Sequence, residues 1–461
     1  MRLGEFSPIF QVHTGASVFT LLLYLTTFYI FDLYNLRRTF ALKDTPLRTA
    51  IAVTVAFVGA TLLFYSFPSW KFGRGILLIQ MILAWTFLTG WRLIFSFIFH
   101  LESEKKDVLV LGAGHCGTTL CRLLASPLSP FRVVGFLDDD PLKQGKVVES
   151  ATVIGFTHQL GAFAASLGIK TAILAITENR PASLIKQILE FRLKGMDILD
   201  MPAVYEQLTR RVPVEHIRDE WIIFATGFYL IAKDYLQKIK RLIDFGVSAF
   251  LMAISIPIMV VAAVAIRFDS AGPVFFKQGR VGKDDKVFTL YKFRSMRLNA
   301  EENGAVWAEG KDPRITRVGK WIRWLRIDEL PQLINVFRGE MSLIGPRPER
   351  PEFIKELAEK IPFYYLRHAV RPGITGWAQV NYRYGASVED ARFKLEYDLY
   401  YIKNMSLLLD LKILLRTIGV VLFGQGSEVK RRKALSVKRK GLRFKFKIKA
   451  SQKNAIRIRM W

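Results

Sequence analysis

Cysteine is nearly absent from this chain. Cys116 and Cys121 are the two in 461 residues, five apart. That excludes a disulfide framework and offers no zinc-ligand spacing, so soluble parts are expected in a reducing compartment. Acid is scarce as well: 40 Asp and Glu stand against 67 Lys and Arg, a net charge of +27. Such a surplus suits nucleic acid, anionic lipid or phosphorylated substrates. No nucleic-acid-binding signature accompanies it, so no nucleic-acid partner is expected. No small-residue cleavage site follows the first apolar run, and further apolar runs come after it, so no cleavable signal peptide is expected.

What is present is apolar and clustered. Apolar residues make up 51% of a chain that is also 23% charged, and the two coexist only if they are segregated. Residues 15–34, 47–67 and 75–91 are apolar stretches of roughly 17–21 residues, enough to cross a bilayer core. Arg37, Arg38, Lys43 and Arg48 lie between the first two, only Lys71 and Arg74 between the second and third, and Arg92, Lys105 and Lys106 after the third. The positive-inside rule then puts the N-terminus outside and everything after residue 100 in the cytoplasm.

Residues 108–111 read as a buried strand, followed by Gly112-Ala113-Gly114-His115-Cys116-Gly117 and a helix to Leu124. Strands at 132–137, 171–176 and 196–199 and a helix at 183–194 continue the alternation, which implies a parallel sheet. Gly112, Gly114 and Gly117 form GxGxxG between strand and helix, where they would let a phosphate approach the helix N-terminus. Asp138-Asp139-Asp140 closes the second strand, about 20 residues on, where a ribose-binding acid is expected. Two readings stay open: a dinucleotide or nucleotide-sugar site, and a scaffold without a ligand.

A fourth apolar stretch, 245–266, is long enough to span, but Pro257 sits at its middle, where it removes a helix hydrogen bond. Lys240 and Arg241 precede it, and Arg267, Lys277 and Arg280 follow. Basic residues on both flanks fit a helix that enters, bends at Pro257 and leaves by the same face; a span is the alternative. Beyond it, 287–293 reads as a strand, and 315–325, 387–403 and 407–421 as helices. Trp321 and Trp324, beside Lys320 and Arg323, suggest a helix at a membrane surface. Next comes Arg326-Ile327-Asp328-Glu329-Leu330-Pro331-Gln332-Leu333-Ile334-Asn335. Its apolar spacing predicts a helix with Pro331 in the first turn and Asp328 and Glu329 at the positive end of the dipole, which favours ionised carboxylates. Alone these are capping acids. Among Arg314, Arg317, Lys320, Arg323, Arg338 and Arg347 they suggest chemistry on a phosphorylated lipid. From Lys430 onward there are fourteen basic residues and no acid, about half of the net charge, read as a mostly disordered tail held to anionic lipid.

Six strings in order carry a resemblance: Gly272-Pro273-Val274-Phe275-Phe276, Gln278-Gly279-Arg280-Val281-Gly282, Lys292-Phe293-Arg294-Ser295-Met296, Asp328-Glu329-Leu330-Pro331-Gln332-Leu333, Met341 to Glu349 (MSLIGPRPE), and Arg371 to Val380 (RPGITGWAQV). Residues 236–426 resemble the bacterial sugar transferases that are monotopic polyprenyl-phosphate phosphoglycosyltransferases. The preceding helices and Rossmann-like part are similar to the larger members, and Asp32-Leu33-Tyr34 with Arg347-Pro348-Glu349-Arg350-Pro351 to their exopolysaccharide branch. The resemblance implies an α/β membrane protein of the bacterial inner membrane. It would have transmembrane helices in 1–104, a Rossmann-like domain in 105–232 and a mainly helical monotopic catalytic domain in 233–426. The re-entrant helix would be 245–266 and the basic tail 427–461.

It also implies transfer of a phospho-sugar from a UDP-sugar to undecaprenyl phosphate on the cytoplasmic face, with release of UMP and a requirement for Mg²⁺. This would be the first membrane step of exopolysaccharide or O-antigen synthesis. Asp328 would be the nucleophile and, with Glu329, would place the metal. Arg294 and Arg347 would grip phosphate, joined by Lys292 and Arg280, the last equally readable as a structural ion pair. His368 reads as a structural histidine. Self-association is left open. Two departures stand out: larger members generally carry four N-terminal membrane helices where three are counted here, and the tail runs past the usual end. The competing readings are a nucleotide-sugar oxidoreductase or epimerase working through the glycine loop, and a non-enzymatic scaffold for polysaccharide assembly.

Overall fold

A computed structural model describes residues 8–31, 33–34, 45–66, 74–98, 105–126, 129–177, 180–225, 227–228, 234–297, 314–382 and 387–423. Asp32, Arg37, Arg38, Lys43, Lys71 and the basic tail from 427 lie outside the described residues. The chain divides into two compact units. One comprises Met1–Lys240, Glu352–Val370 and Leu395–Leu415, and the other Arg241–Pro351, Arg371–Lys394 and Arg416–Trp461.

The first unit opens with three helices, α1 (Pro8–Ile30), α2 (Thr45–Ser66) and α3 (Arg74–Ile98). Pro46 falls in the first turn of α2, where its missing N–H costs nothing. Packing between α1 and α2 uses small residues: Ala16, Ala52, Ala56 and Ala60 are buried, with Tyr24 and Phe28 beside them. Hydroxyls bond back to their own helix, Thr20 to the Ala16 carbonyl at 2.7 Å and Thr27 to that of Leu23 at 2.7 Å, as they must where water is excluded. Leu21, Leu22, Leu62, Tyr65, Phe87 and Trp91 face outward. Arg92 on α3 donates to the Leu33 carbonyl at 2.9 Å and the Thr49 hydroxyl at 3.1 Å. It thereby joins the end of α3 to the C-terminal side of α1 and the start of α2. Among the described residues, Thr49–Ser66 and Tyr235–Asp269 are long and apolar enough to cross a membrane, and Gly15–Ile30 is a shorter apolar helix.

The rest of this unit is built on a six-stranded sheet of β1 (Lys106–Leu111), β2 (Phe131–Leu137), β3 (Val147–Val148), β4 (Ala151–Gly155), β5 (Thr171–Leu174) and β6 (Asp197–Asp200), in the order β3-β4-β2-β1-β5-β6. Every pairing is parallel except the short edge pair β3–β4. Helices α4 (His115–Leu124), α5 (Leu160–Leu167), α6 (Ala182–Leu193) and α7 (Met201–Thr209) follow strands, and α8 (Asp219–Phe224) is a later short helix. Alternate residues of β1 feed opposite faces: Val108 and Val110 enter one core, Leu109 and Leu111 the other. Both faces are covered, as a parallel sheet requires.

The second unit contains most of α9 (Asp234–Asp269), a 36-residue helix that continues through Pro257. The proline therefore does not end the helix. Ser255 supplies a hydroxyl to the Met252 carbonyl at 3.2 Å. Arg241, the first residue of α9 in this unit, and Asp269, its last, are both tied inside it. Arg241 donates to the carbonyls of Val336 and Phe337 at 2.6 and 2.7 Å, and Asp269 accepts from the Val318 N–H at 3.1 Å. Strands β7 (Phe275–Val281) and β8 (Val287–Phe293) form an antiparallel hairpin. There follow α10 (Arg317–Trp324), a 3-10 turn (Ile327–Glu329), α11 (Gln332–Arg338), β9 (Ser342–Ile344), α12 (Pro351–Lys360), β10 (Gly373–Thr375), α13 (Trp377–Asn381), α14 (Val388–Lys403) and α15 (Leu407–Phe423). Of these, α12 and parts of α14 and α15 belong to the first unit. Phe293 and Ile322 pack on Ala262 and Ile266 of α9, and β9 pairs in parallel with β10.

Candidate active site

The chain reverses after α10 through Arg326, which adopts the left-handed conformation at φ 59°. For a residue with a Cβ this is strained by about 1–2 kcal/mol, and it delivers the next three residues into the tight turn that carries Asp328 and Glu329. Pro331 caps α11 instead of entering its first turn. The acids therefore belong to a separate turn and not to the first turn of α11, which corrects the expectation from spacing.

Glu329 is buried and ringed by cations. Arg347 Nη2 lies 2.7 Å from its Oε1, Arg326 Nη1 3.5 Å and Lys292 Nζ 3.8 Å. Burial pushes this carboxyl up, but Arg347, Lys292 and Arg326 outweigh it and bring it down to about 2. Asp328 goes the other way. Burial and the neighbouring Glu329 charge raise it, only partly offset by Lys292, Arg323 and Arg326. The dipole argument had an ionised Asp328; its surroundings instead resist ionisation. Its Oδ1 is buried without a hydrogen-bond partner, and so is Nε2 of Gln332, four residues on. Buried polar atoms left unpaired cost about 1–3 kcal/mol each, a cost expected where a ligand is to be met.

Three devices hold the cations in place. Asn335, fully buried, accepts from the Tyr291 N–H at 3.2 Å and donates to the Thr289 carbonyl at 2.7 Å, which fixes β8 and hence Lys292 beside α11. Arg280 donates to the Pro348 carbonyl at 3.0 Å and lies 3.7 Å from Glu349, so it grips the segment carrying Arg347. Where β9 meets β10, backbone packs on backbone. A Cβ on Gly373 would lie 2.1 Å from Gly345 N, and one on Gly376 2.1 Å from Gly345 O.

Of the expected site residues, the structure brings together Asp328, Glu329, Lys292 and Arg347. Arg294 is placed elsewhere: its guanidinium closes the end of α9 on the carbonyls of Ala271 and Ser270 at 2.8 and 2.6 Å. Arg280 supports the Arg347 segment. Arg241 clamps α11, and Lys240, in the other unit, pairs with Asp410 at 2.5 Å. His368 is buried against Tyr364. Arg323 and Arg326 entered the sequence reading as part of the basic setting of the pair, while Gln332 and Asn335, in the same ten-residue string, were not singled out.

The glycine loop has the expected backbone. Gly112 has φ 101°, and a Cβ on Gly117 would lie 2.1 Å from Gly112 O. Asp138, however, is turned inward. It accepts from the Ala113 N–H at 2.7 Å and the Asp140 N–H at 2.9 Å and pairs with Lys143. Asp139 is engaged by Thr157. The acid expected to hold a ribose is thus occupied within the loop, as is one of the N–H groups expected to face a pyrophosphate.

Mg²⁺ takes hard oxygen ligands, commonly one or two carboxylates together with substrate phosphates. The unpartnered Oδ1 of Asp328 suits that role, whereas Oε1 of Glu329 is already committed to cations.

Comparison with known proteins matches residues 235–424 to the model of the bacterial sugar transferase family and residues 29–202 to that of a CoA-binding domain. The chain is 46% identical over 235 residues to a UDP-N-acetylgalactosamine-undecaprenyl-phosphate N-acetylgalactosaminephosphotransferase of Aeromonas hydrophila, covering 51% of this chain and 54% of that one. It is 33% identical over 377 residues to an undecaprenyl-phosphate glucose phosphotransferase of Komagataeibacter xylinus, covering 78% and 68%. It is 42% identical over 185 residues to a UDP-glucose:undecaprenyl-phosphate glucose-1-phosphate transferase of Caulobacter vibrioides, covering 40% and 69%. The match spans about half the length of the Aeromonas protein. With Asp328, Glu329, Lys292 and Arg347 brought together and these relatives beside it, the chain belongs to the bacterial sugar transferase family.

Proposed function

We propose that this protein transfers a phospho-sugar from a UDP-sugar to undecaprenyl phosphate through a covalent aspartyl intermediate. The observation that carries the proposal is the pair at 328 and 329: one carboxylate with a buried oxygen, Oδ1, that has no hydrogen-bond partner, the next surrounded by three cations. The Asp328 carboxylate attacks the sugar-bearing phosphorus, the bond to the bridging oxygen breaks, and UMP leaves. A phosphate oxygen of undecaprenyl phosphate then attacks the same phosphorus and regenerates the carboxylate. Splitting one displacement into two in this way is what a carboxylate nucleophile provides. Lys292, Arg326 and Arg347 supply positive charge for anionic substrates; Glu329 holds those cations in register. Mg²⁺, held by Asp328 and substrate phosphates, would supply further charge neutralisation when bound.

The lipid acceptor's phosphate lies at a membrane surface, and the reading places the site on the cytoplasmic face of the inner membrane. Support comes from α9. Arg241 and Asp269, which flank its apolar stretch, are both tied within one unit, whereas a spanning segment parts its flanks across the bilayer; a re-entrant one does not. The role favoured is initiation of exopolysaccharide synthesis. The decisive assay is UMP release from a panel of UDP-sugars, glucose and N-acetylgalactosamine among them, with Mg²⁺ and undecaprenyl phosphate. Asp328→Asn is expected to lose at least about 10³-fold in turnover, on the scale of other lost nucleophiles. Near-normal turnover by that variant would exclude the covalent route.

A further inference from the structure

The glycine loop carries two side chains that phosphate binding does not call for. His115 and Cys116 are the first residues of α4, and the 3-10 turn Val214–His216 brings Glu215 and His216 to meet them. One ligand atom from each of His115, Glu215 and His216 lies within 4.8 Å of the other two, and the two imidazole rings are 5.1 Å apart. His216 is buried, while His115 and Glu215 are exposed. Cys116 Sγ lies 3.3 Å from Nδ1 of His216 and 3.3 Å from the Thr177 hydroxyl.

We propose that His115, Glu215 and His216 form a binding site for a transition-metal dication of the zinc class. Two imidazoles and one carboxylate make a nitrogen-rich donor set, which selects such a metal over Mg²⁺ or Ca²⁺. Metal–ligand distances of about 2.0–2.2 Å require the three atoms to draw closer. The two exposed side chains can turn to do so, while the buried ring serves as the fixed point. Cys116 fixes that ring: a partner on one imidazole nitrogen sets which nitrogen faces the metal. The positive end of α4 opposes a cation here, and the Glu215 charge offsets it. Three protein ligands leave a coordination position open toward solvent. With the Ala113 N–H already taken by Asp138, this loop is less suited to a pyrophosphate than to a cation.

The test uses the full chain in detergent, stripped with a chelator and then kept in excess Mg²⁺ so that hard oxygen sites are occupied. Co²⁺ is titrated and its d–d absorption followed, with bound Zn²⁺ counted by elemental analysis in parallel. One equivalent per chain is expected. His115→Ala and Glu215→Gln change exposed residues, so the fold is retained; each should weaken binding by at least about tenfold, the scale at which even outer partners matter. Asp328→Asn should bind as wild type. No stoichiometric uptake, uptake unchanged in the His115→Ala, Glu215→Gln double variant, or uptake lost in Asp328→Asn would each overturn the assignment.

Discussion

A carboxylate that resists ionisation is a stronger base and nucleophile once ionised, and Asp328 is raised by burial and by Glu329. The acid limb of kcat/KM should therefore lie above the ordinary aspartate range. Arg323 lowers Asp328 without touching Glu329's ion pairs, so Arg323→Gln should move that limb further toward neutral; a profile identical to wild type would mean Asp328 does not govern it. Glu329 behaves oppositely. Its folded-state carboxyl sits at about 2 against an ordinary 4.5, so it stabilises the fold above pH 4.5 and loses that contribution as pH falls through about 2. The depression corresponds to stability on the order of 3 kcal/mol. Glu329→Gln should lower the melting temperature at pH 7 and flatten its fall between pH 4.5 and 2; a parallel fall would locate the acid sensitivity elsewhere. The identity of these residues was legible in their motif. Their charge states were not, because spacing does not report that Pro331 caps α11 or that Arg326 turns left-handed.

At the scale of elements, strands at 108–111, 132–137, 171–176 (observed to end at Leu174) and 287–293 and the helices around them were readable from apolar runs and periodicity. Strands β9 and β10 were not, since three residues show no period. β7 was missed because Phe275, Phe276 and Lys277 are all exposed, which removes alternation. The hidden elements are the ones that place Arg347. A Cβ on Gly345 would lie 2.5 Å from the Arg371 carbonyl, so Gly345→Ala must part β9 from β10. It should cost about 1–3 kcal/mol and shift Arg347, with turnover down by up to about 10²-fold. Thermal melts and initial rates measure both, and full turnover would show that the β9–β10 contact does not position the site.

For the whole molecule, the proposed return of 245–266 to its own side rests on its basic flanks and on the ties at Arg241 and Asp269. A helix of 36 residues is about 54 Å long, more than a bilayer core of about 30 Å needs, so length cannot decide. Single cysteines at Lys238 and Lys277, both exposed, can. The native Cys116 and Cys121 are buried, which keeps background labelling low. A membrane-impermeant maleimide added to spheroplasts should leave both positions unlabelled and should label both in inverted vesicles. Labelling of one and not the other would make the helix a span.

The bonds of Arg92 have a consequence for how the chain is made. The chain is made in order, and α1 and α2 can associate through their alanine seam before α3 is complete. Arg92 arrives last, and its two acceptors, on Leu33 and Thr49, stand side by side only if that hairpin has formed. A chain in which it has not leaves the half-buried Arg92 guanidinium without these acceptors, a loss of about 1.5–3 kcal/mol for hydrogen bonds to a charged group. The same arginine that completes the helix trio thereby makes the docking of α3 depend on the hairpin made before it.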